Sequence, residues 1–198
     1  MENYQFVSPT ALERIAPWKR LAFMASCCER MIPNYRSFLA DDGVGDVAVL
    51  RSALDRLWRN VGGGASDSSD LIFVANVEAQ APDPSSFGSV HASAALDAVA
   101  AISTALGSSA GMVSAPDAME IAQLGRDTAD LYVQITEGLD PNATSFEAEI
   151  LMSAPMQREL KAQREDIEWL ALIPDDAVGR AATVEKYAGR EHSSLDAA

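Results

Sequence analysis

Five residues combine ionisable or hydrogen-bonding chemistry with surroundings that read as interior. Glu29, Arg30, Asn34 and Tyr35 lie in the stretch LAFMASCCERMIPNYRSF at residues 21–38, and Asp97 lies in an alanine-rich stretch that begins at Val90. A charge inside a protein is costly unless it is paired and hydrogen-bonded, so Glu29, Arg30 and Asp97 are each expected to meet a partner. The structural use of such charges is an ion pair that fixes how helices dock, with Arg30 as the cation for Asp97. The functional use is a small cleft in which the carboxylates and Arg30, with Asn34 and Tyr35, orient a ligand or shift a carboxylate pKa for proton transfer. Pro33 has no N–H and frees the carbonyl of Glu29 for side chains, water or ligand.

Other chemistries fail on residue type or spacing. A di-iron bundle needs Glu-x-x-His on two helices, and neither His91 nor His192 has a glutamate three residues earlier. Cys27 and Cys28 point about 100° apart around a helix, which suits neither a shared zinc nor a disulfide. As nucleophiles they would need a base and a lowered pKa, and burial alone raises a thiol pKa. Asp41, Asp42 and Asp46 lack the alternating ligands and closing glutamate of a calcium loop and read as a turn with a helix cap. No G-x-S-x-G, Walker or Rossmann glycine pattern is present. No metal, cofactor or catalytic residue is therefore expected.

The elements that must hold these residues read as helical throughout. Ser8-Pro9 is a cap followed by a first-turn proline, and the short helix it opens ends near Pro17. The central helix, residues 18–39, is apolar or small on every side from Leu21 to Cys28, the mark of an element covered all round, and should kink at Pro33. After the turn at Asp41-Asp42-Gly43, the residues Leu50, Ala53, Leu54, Leu57, Trp58 and Val61 recur at helical spacing. Gly62-Gly63-Gly64 ends that helix, and a polar loop follows to Asp70. Residues 71–77 would suit a strand, but no second strand exists to pair with them, so a short helix before Pro82 is expected. Residues 90–106 form a helix closely packed inside the bundle. Ser114-Ala115-Pro116 then starts a helix whose stripe runs from Ile121 to Leu139, and Thr144 with Glu147 forms a capping-box pattern. Past Pro155 the stripe Met156, Leu160, Gln163, Ile167, Leu170 leaves Arg158, Glu159 and Glu165 on other faces.

The fold expected is all-α, a bundle of about seven helices around the central one, in a single domain over residues 1–198 with 1–7 and 188–198 frayed. That length, with 48% hydrophobic residues, supports one core. Asp and Glu total 29 against 15 Lys and Arg, a formal charge of -14 that repels phosphate backbones and anionic headgroups, so nucleic acid and membrane are excluded as partners. The amino terminus has no basic start and no apolar core of a secretory signal, and a cytoplasmic location follows.

The spacing L-x-F-M-A-x-x-C-E-R-M-x-P-N-Y over residues 21–35 resembles the YjaG-like family of bacterial helical proteins. The resemblance extends from about Pro9 to Leu172 through Gly45-Asp46, Leu57-Trp58, Asp97, and the pattern of Pro155, Glu159 and Gln163. It departs at residues 62–69 and in the tail. What it implies is a multihelical all-α domain without an established activity, so no catalytic role carries over. The expectation is a non-catalytic binding or regulatory protein that engages a protein partner or itself. The alternative is an enzyme or small-ligand sensor with a polar site between the central and fifth helices.

Overall fold

The computed structural model describes residues 6–64 and 70–195, and among these there are nine α-helices and no strand. In order they are α1 (Pro9–Arg14), α2 (Pro17–Asp42), α3 (Val47–Val61), α4 (Asp70–Glu78), α5 (His91–Ala110), α6 (Ala115–Glu137), α7 (Phe146–Met152), α8 (Ala154–Leu172) and α9 (Ala177–Tyr187). A single 3-10 turn at Pro84–Ser86 breaks the link between α4 and α5.

Local chemistry sets most of these boundaries. Ser8, Asp46, Ser114, Ser153 and Asp176 each accept a hydrogen bond from a first-turn N–H, satisfying donors that a helix start otherwise leaves open. The Thr144–Glu147 box does not form: Ser145 is the residue before α7 and its side chain makes no cap bond. Residues 71–77 are helical, within α4. The polar loop of residues 65–69 lies outside the described residues.

α2 is the axis of the molecule. Ala22, Phe23, Met24, Ala25 and Cys28 have no solvent exposure, because α3, α5, α6, α8 and α9 all pack on this helix. The helix runs on through Pro33 to Asp42. Tyr35 closes its far end against Phe38 and the loop before α3, where Gly45 has φ +101° and a side chain would strike the Tyr35 hydroxyl. A second, smaller apolar cluster joins α6, α7 and α8 through Val133, Ile150, Met156 and Leu160.

Within the segments expected to fray, residues 1–7 and 188–198, the described parts include packed residues. Val7 is buried against the core, and residues 188–195 lie as a strap across α2 and α8, with Leu195 seated in the smaller cluster. Arg158 donates to the carbonyls of Ser194 and Leu195, both at 2.8 Å. The strap escapes an apolar pattern search because backbone and hydroxyl hydrogen bonds, with one leucine, hold it down. Residues 1–5 and 196–198 lie outside the described residues.

Candidate functional site

The adjacent residues Glu29 and Arg30 leave α2 on different sides, and each enters its own cluster of opposite charge. Arg30 grips Glu159 of α8 in a fork, with Nε donating at 3.0 Å and Nη2 at 2.9 Å, while Nη1 donates to Asp166 at 2.8 Å. Such a bidentate guanidinium–carboxylate pair is the strong form of ion pair. Ser26, one turn back on α2, donates to the same Asp166 oxygen at 2.7 Å. Glu159 also accepts from Gln163 at 2.8 Å and from the strap residue Ser194. Gly125 of α6 makes room for this approach, since a side chain there would stand 2.9 Å from Glu159 Oε1.

Glu29, only 2% exposed, accepts from Arg51 of α3 at 2.6 and 2.8 Å, from the Trp58 indole at 2.6 Å and from the strap amide of Gly189 at 3.0 Å. Glu191 extends the cluster outward to Arg36 and Arg51. Asn34 accepts from Ser193 of the strap at 2.6 Å, whereas Tyr35 donates to the Gln80 carbonyl at 3.1 Å. The structure thus brings Glu29, Arg30 and Asn34 together beneath one strap and leaves Tyr35 outside it.

Asp97 does not join them, which corrects the pairing expected with Arg30. It accepts from Thr128 of α6 at 2.7 Å and has no cationic partner among the described residues. The reason is helix rotation: Asp97 sits on the side of α5 that faces α6, while Arg30 faces α8. The site therefore lies between α2, α8 and the strap, not between the central and fifth helices. Burial pushes the Asp97 carboxyl above its ordinary value, against the lowering effect of Thr128. Asp97→Ala should accordingly cost about 1 kcal/mol or less in a denaturant titration, as for a partly solvated polar contact, and not the loss typical of a buried pair.

In the sequence Glu159 stands off the apolar stripe of α8, and nothing in that stripe singles out Asp166. The signal that would have found them is spacing: Glu159, Gln163 and Asp166 step by four and three, a buried polar stripe running beside the apolar one. Burial raises the Glu159 pKa, but the charge and hydrogen bonds of Arg30, with those of Ser194 and Gln163, outweigh it and hold the carboxyl below its ordinary value.

Neither thiol is poised for attack. Burial pushes Cys27 up to about 12 and Cys28 well above the ordinary range, although Arg30 Nη2 lies 3.3 Å from the Cys27 sulfur. Native protein should leave both thiols unlabelled by an aromatic disulfide reagent, with both reacting once urea unfolds the chain; rapid labelling of the native state would show that this part of α2 is not held in the core. The His91 ring stacks on Tyr132, and no three His, Cys, Asp or Glu among the described residues are placed to hold a metal. A cavity of about 170 Å³ opens beside the two clusters, lined by Arg30, Asp166, Lys186, Tyr187, Arg190 and His192. Burial, with the Asp166 carboxylate beside it, pushes the Tyr187 phenol well above its ordinary value.

A family model described as "Protein of unknown function (DUF416)" matches residues 9–187. The Uncharacterized protein YjaG of Escherichia coli (strain K12) is 44% identical over 50 residues, which are 25% of this chain and 26% of that protein, so the chain spans about a quarter of the length of that curated relative. An Uncharacterized protein of Haemophilus influenzae is 24% identical over 159 residues, covering 80% of this chain and 76% of that one. The crystal structure of a DUF416 family protein from Shewanella baltica OS155 superposes with a TM-score of 0.81 at 24% identity, covering 96% of this chain and 98% of that one. The likeness establishes the shared fold.

Proposed function

The chain belongs to the family of proteins of unknown function designated DUF416, and on that premise we infer that it acts by binding rather than by catalysis, as a single cytoplasmic domain that regulates or scaffolds a protein partner or a second copy. The observation that carries this reading is the saturation of its most reactive-looking residues. Arg30 meets two carboxylates, Glu29 meets Arg51, Trp58 and a strap amide, and Asn34 and Tyr35 each have a partner. A catalytic acid, base or nucleophile needs a free face and a pKa near the working pH. Here the polar groups face one another, which is how a network that fixes helix docking is built. Among the described residues no helix is long and apolar enough to cross a membrane.

The partner expected has a basic face, because the chain carries 29 acidic against 15 basic residues. Native cross-linking of the full chain in bacterial lysate tests this. The expected result is one stoichiometric protein whose capture weakens as salt rises, or a second copy whose capture does not, because two chains of charge -14 repel and salt screens that repulsion. A chain that stays monomeric and uncross-linked at both low and high salt would overturn the reading.

At this site the small-ligand alternative has in its favour the cavity beside Tyr187, where Lys186 and Arg190 share the wall with Glu29 and Asp166. At about 170 Å³ it is well short of the roughly 300–1,000 Å³ usual for small-molecule sites.

A further inference from the structure

Arg126 is a buried cation that neither Glu159 nor Asp166 pairs with. It is 6% exposed on α6, yet its guanidinium donates only to neutral oxygens, Gln163 Oε1 at 2.8 Å and Gln123 Oε1 at 2.6 Å. Arg30 is met by two carboxylates and Arg51 by three, whereas Arg126 pairs with none among the described residues. Those two bonds use two of its five N–H groups. Burial works against its charge and pushes its pKa below the ordinary arginine value. The guanidinium also lies over the Phe6 ring, 5.5 Å from its centroid, but a ring carries no net charge, and α8 supplies Arg30 with anions while giving Arg126 only an amide.

Arg126 lines a cavity of about 420 Å³ between α6, α7 and the start of α8, within the range of small-molecule sites. Three acidic side chains share the cavity wall: Asp127, Asp130 and Glu147. Gln123 and Gln134 each donate to one oxygen of Asp127 and Asp130 at 2.6 Å, which leaves the second oxygen of each to accept from elsewhere. The rest of the wall is apolar, from Ile150, Leu151 and Met156 with Phe6 at the edge. A purely anionic ligand would be repelled by three carboxylates, and a purely cationic one would leave Arg126 unpaired. A zwitterion with an apolar side chain satisfies all three parts of the wall.

We propose that this cavity is a binding site for a free apolar α-amino acid, its carboxylate on Arg126, its ammonium on the acidic wall and its side chain on Ile150, Leu151 and Met156. The cavity meets the strap network through Gln163, which accepts from Arg126 and donates to Glu159, but the ligand itself would touch none of the strap residues, so failure of the proposal would leave the binding-protein reading standing.

The test is calorimetric titration of the full chain at pH 7 with L-leucine, L-methionine and L-phenylalanine. Two analogues of leucine serve as controls: 4-methylpentanoate, which lacks the amine, and 3-methylbutylamine, which lacks the carboxylate. At least one amino acid should bind saturably. The analogues of leucine, or of whichever amino acid binds, should be weaker by about tenfold or more, a difference of about 1.4 kcal/mol each. Arg126→Gln should lose binding by at least the same factor while keeping the wild-type helical signal. Because that variant touches the α6–α8 contact, the wall variant Asp130→Asn with Glu147→Gln gives a second readout: it should weaken the amino acid and strengthen the deaminated analogue. The proposal is overturned if none of the three amino acids binds wild type. It is equally overturned if the deaminated analogue binds wild type as tightly as its parent, or if folded Arg126→Gln keeps wild-type affinity.

Discussion

Arg30→Met is expected to cost about 3–5 kcal/mol of folding free energy at pH 7. Methionine fills much of the same space, so the loss reports charge and hydrogen bonding more than packing. It strands two carboxylates together, Glu159 at 3% and Asp166 at 9% side-chain exposure, with only Gln163, Ser194 and Ser26 left to donate to them. Arg30→Lys should not rescue it, because one ammonium cannot reproduce three N–H directions set by a planar fork. The sign of the pH dependence follows from Glu159. In the wild type its pKa lies below the ordinary value, so its stabilising contribution is fully present above the unfolded pKa, about 4.3, and is lost as pH falls through the folded one. Without Arg30, burial dominates and lifts the same pKa, so the variant is destabilised increasingly as pH rises through the unfolded value. The gap between the two proteins is thus widest near neutrality and narrows as pH falls toward about 4. Urea titrations at pH 7 and pH 4 measure it, and equal midpoints at pH 7 would mean that Arg30 is not the keystone of the cluster.

The second large effect concerns the other cluster, where the two partners are buried unequally. Arg51→Ala should cost about 3–5 kcal/mol, since it leaves Glu29 with 2% exposure and only the Trp58 indole and the Gly189 amide as donors. Glu29→Ala should cost less, about 1–3 kcal/mol, the desolvation penalty of the donors it leaves behind. Arg51, at 21% side-chain exposure, then retains Asp55 and Glu191 and reaches water. The ordering matters more than either value: burial of the survivor, not strength of the pair, sets the loss. The same two variants in urea decide it, and a larger loss for Glu29→Ala would reverse the assignment of which charge is trapped.

What the sequence by itself determined is the helical architecture and its axis. Serine and aspartate caps, first-turn prolines and terminal glycines are local signals that act within one turn, and the unbroken apolar run from Leu21 to Cys28 can only belong to a helix covered on every side. It also determined that Glu29 and Arg30, lying at the end of that run, need partners. Only the tertiary structure decided which partners. Glu159 and Asp166 are 129 and 136 residues from Arg30, and Gly189 is 160 from Glu29. Long-range pairing depends on how far each helix is rotated about its axis when it docks, a degree of freedom that periodicity leaves open when polar and apolar stripes run side by side, as they do on α8. The same holds for Asp97, which α5 turns toward Thr128, and for the strap, which has almost no apolar signature because hydrogen bonds to buried charges and the seat of Leu195 hold it in place.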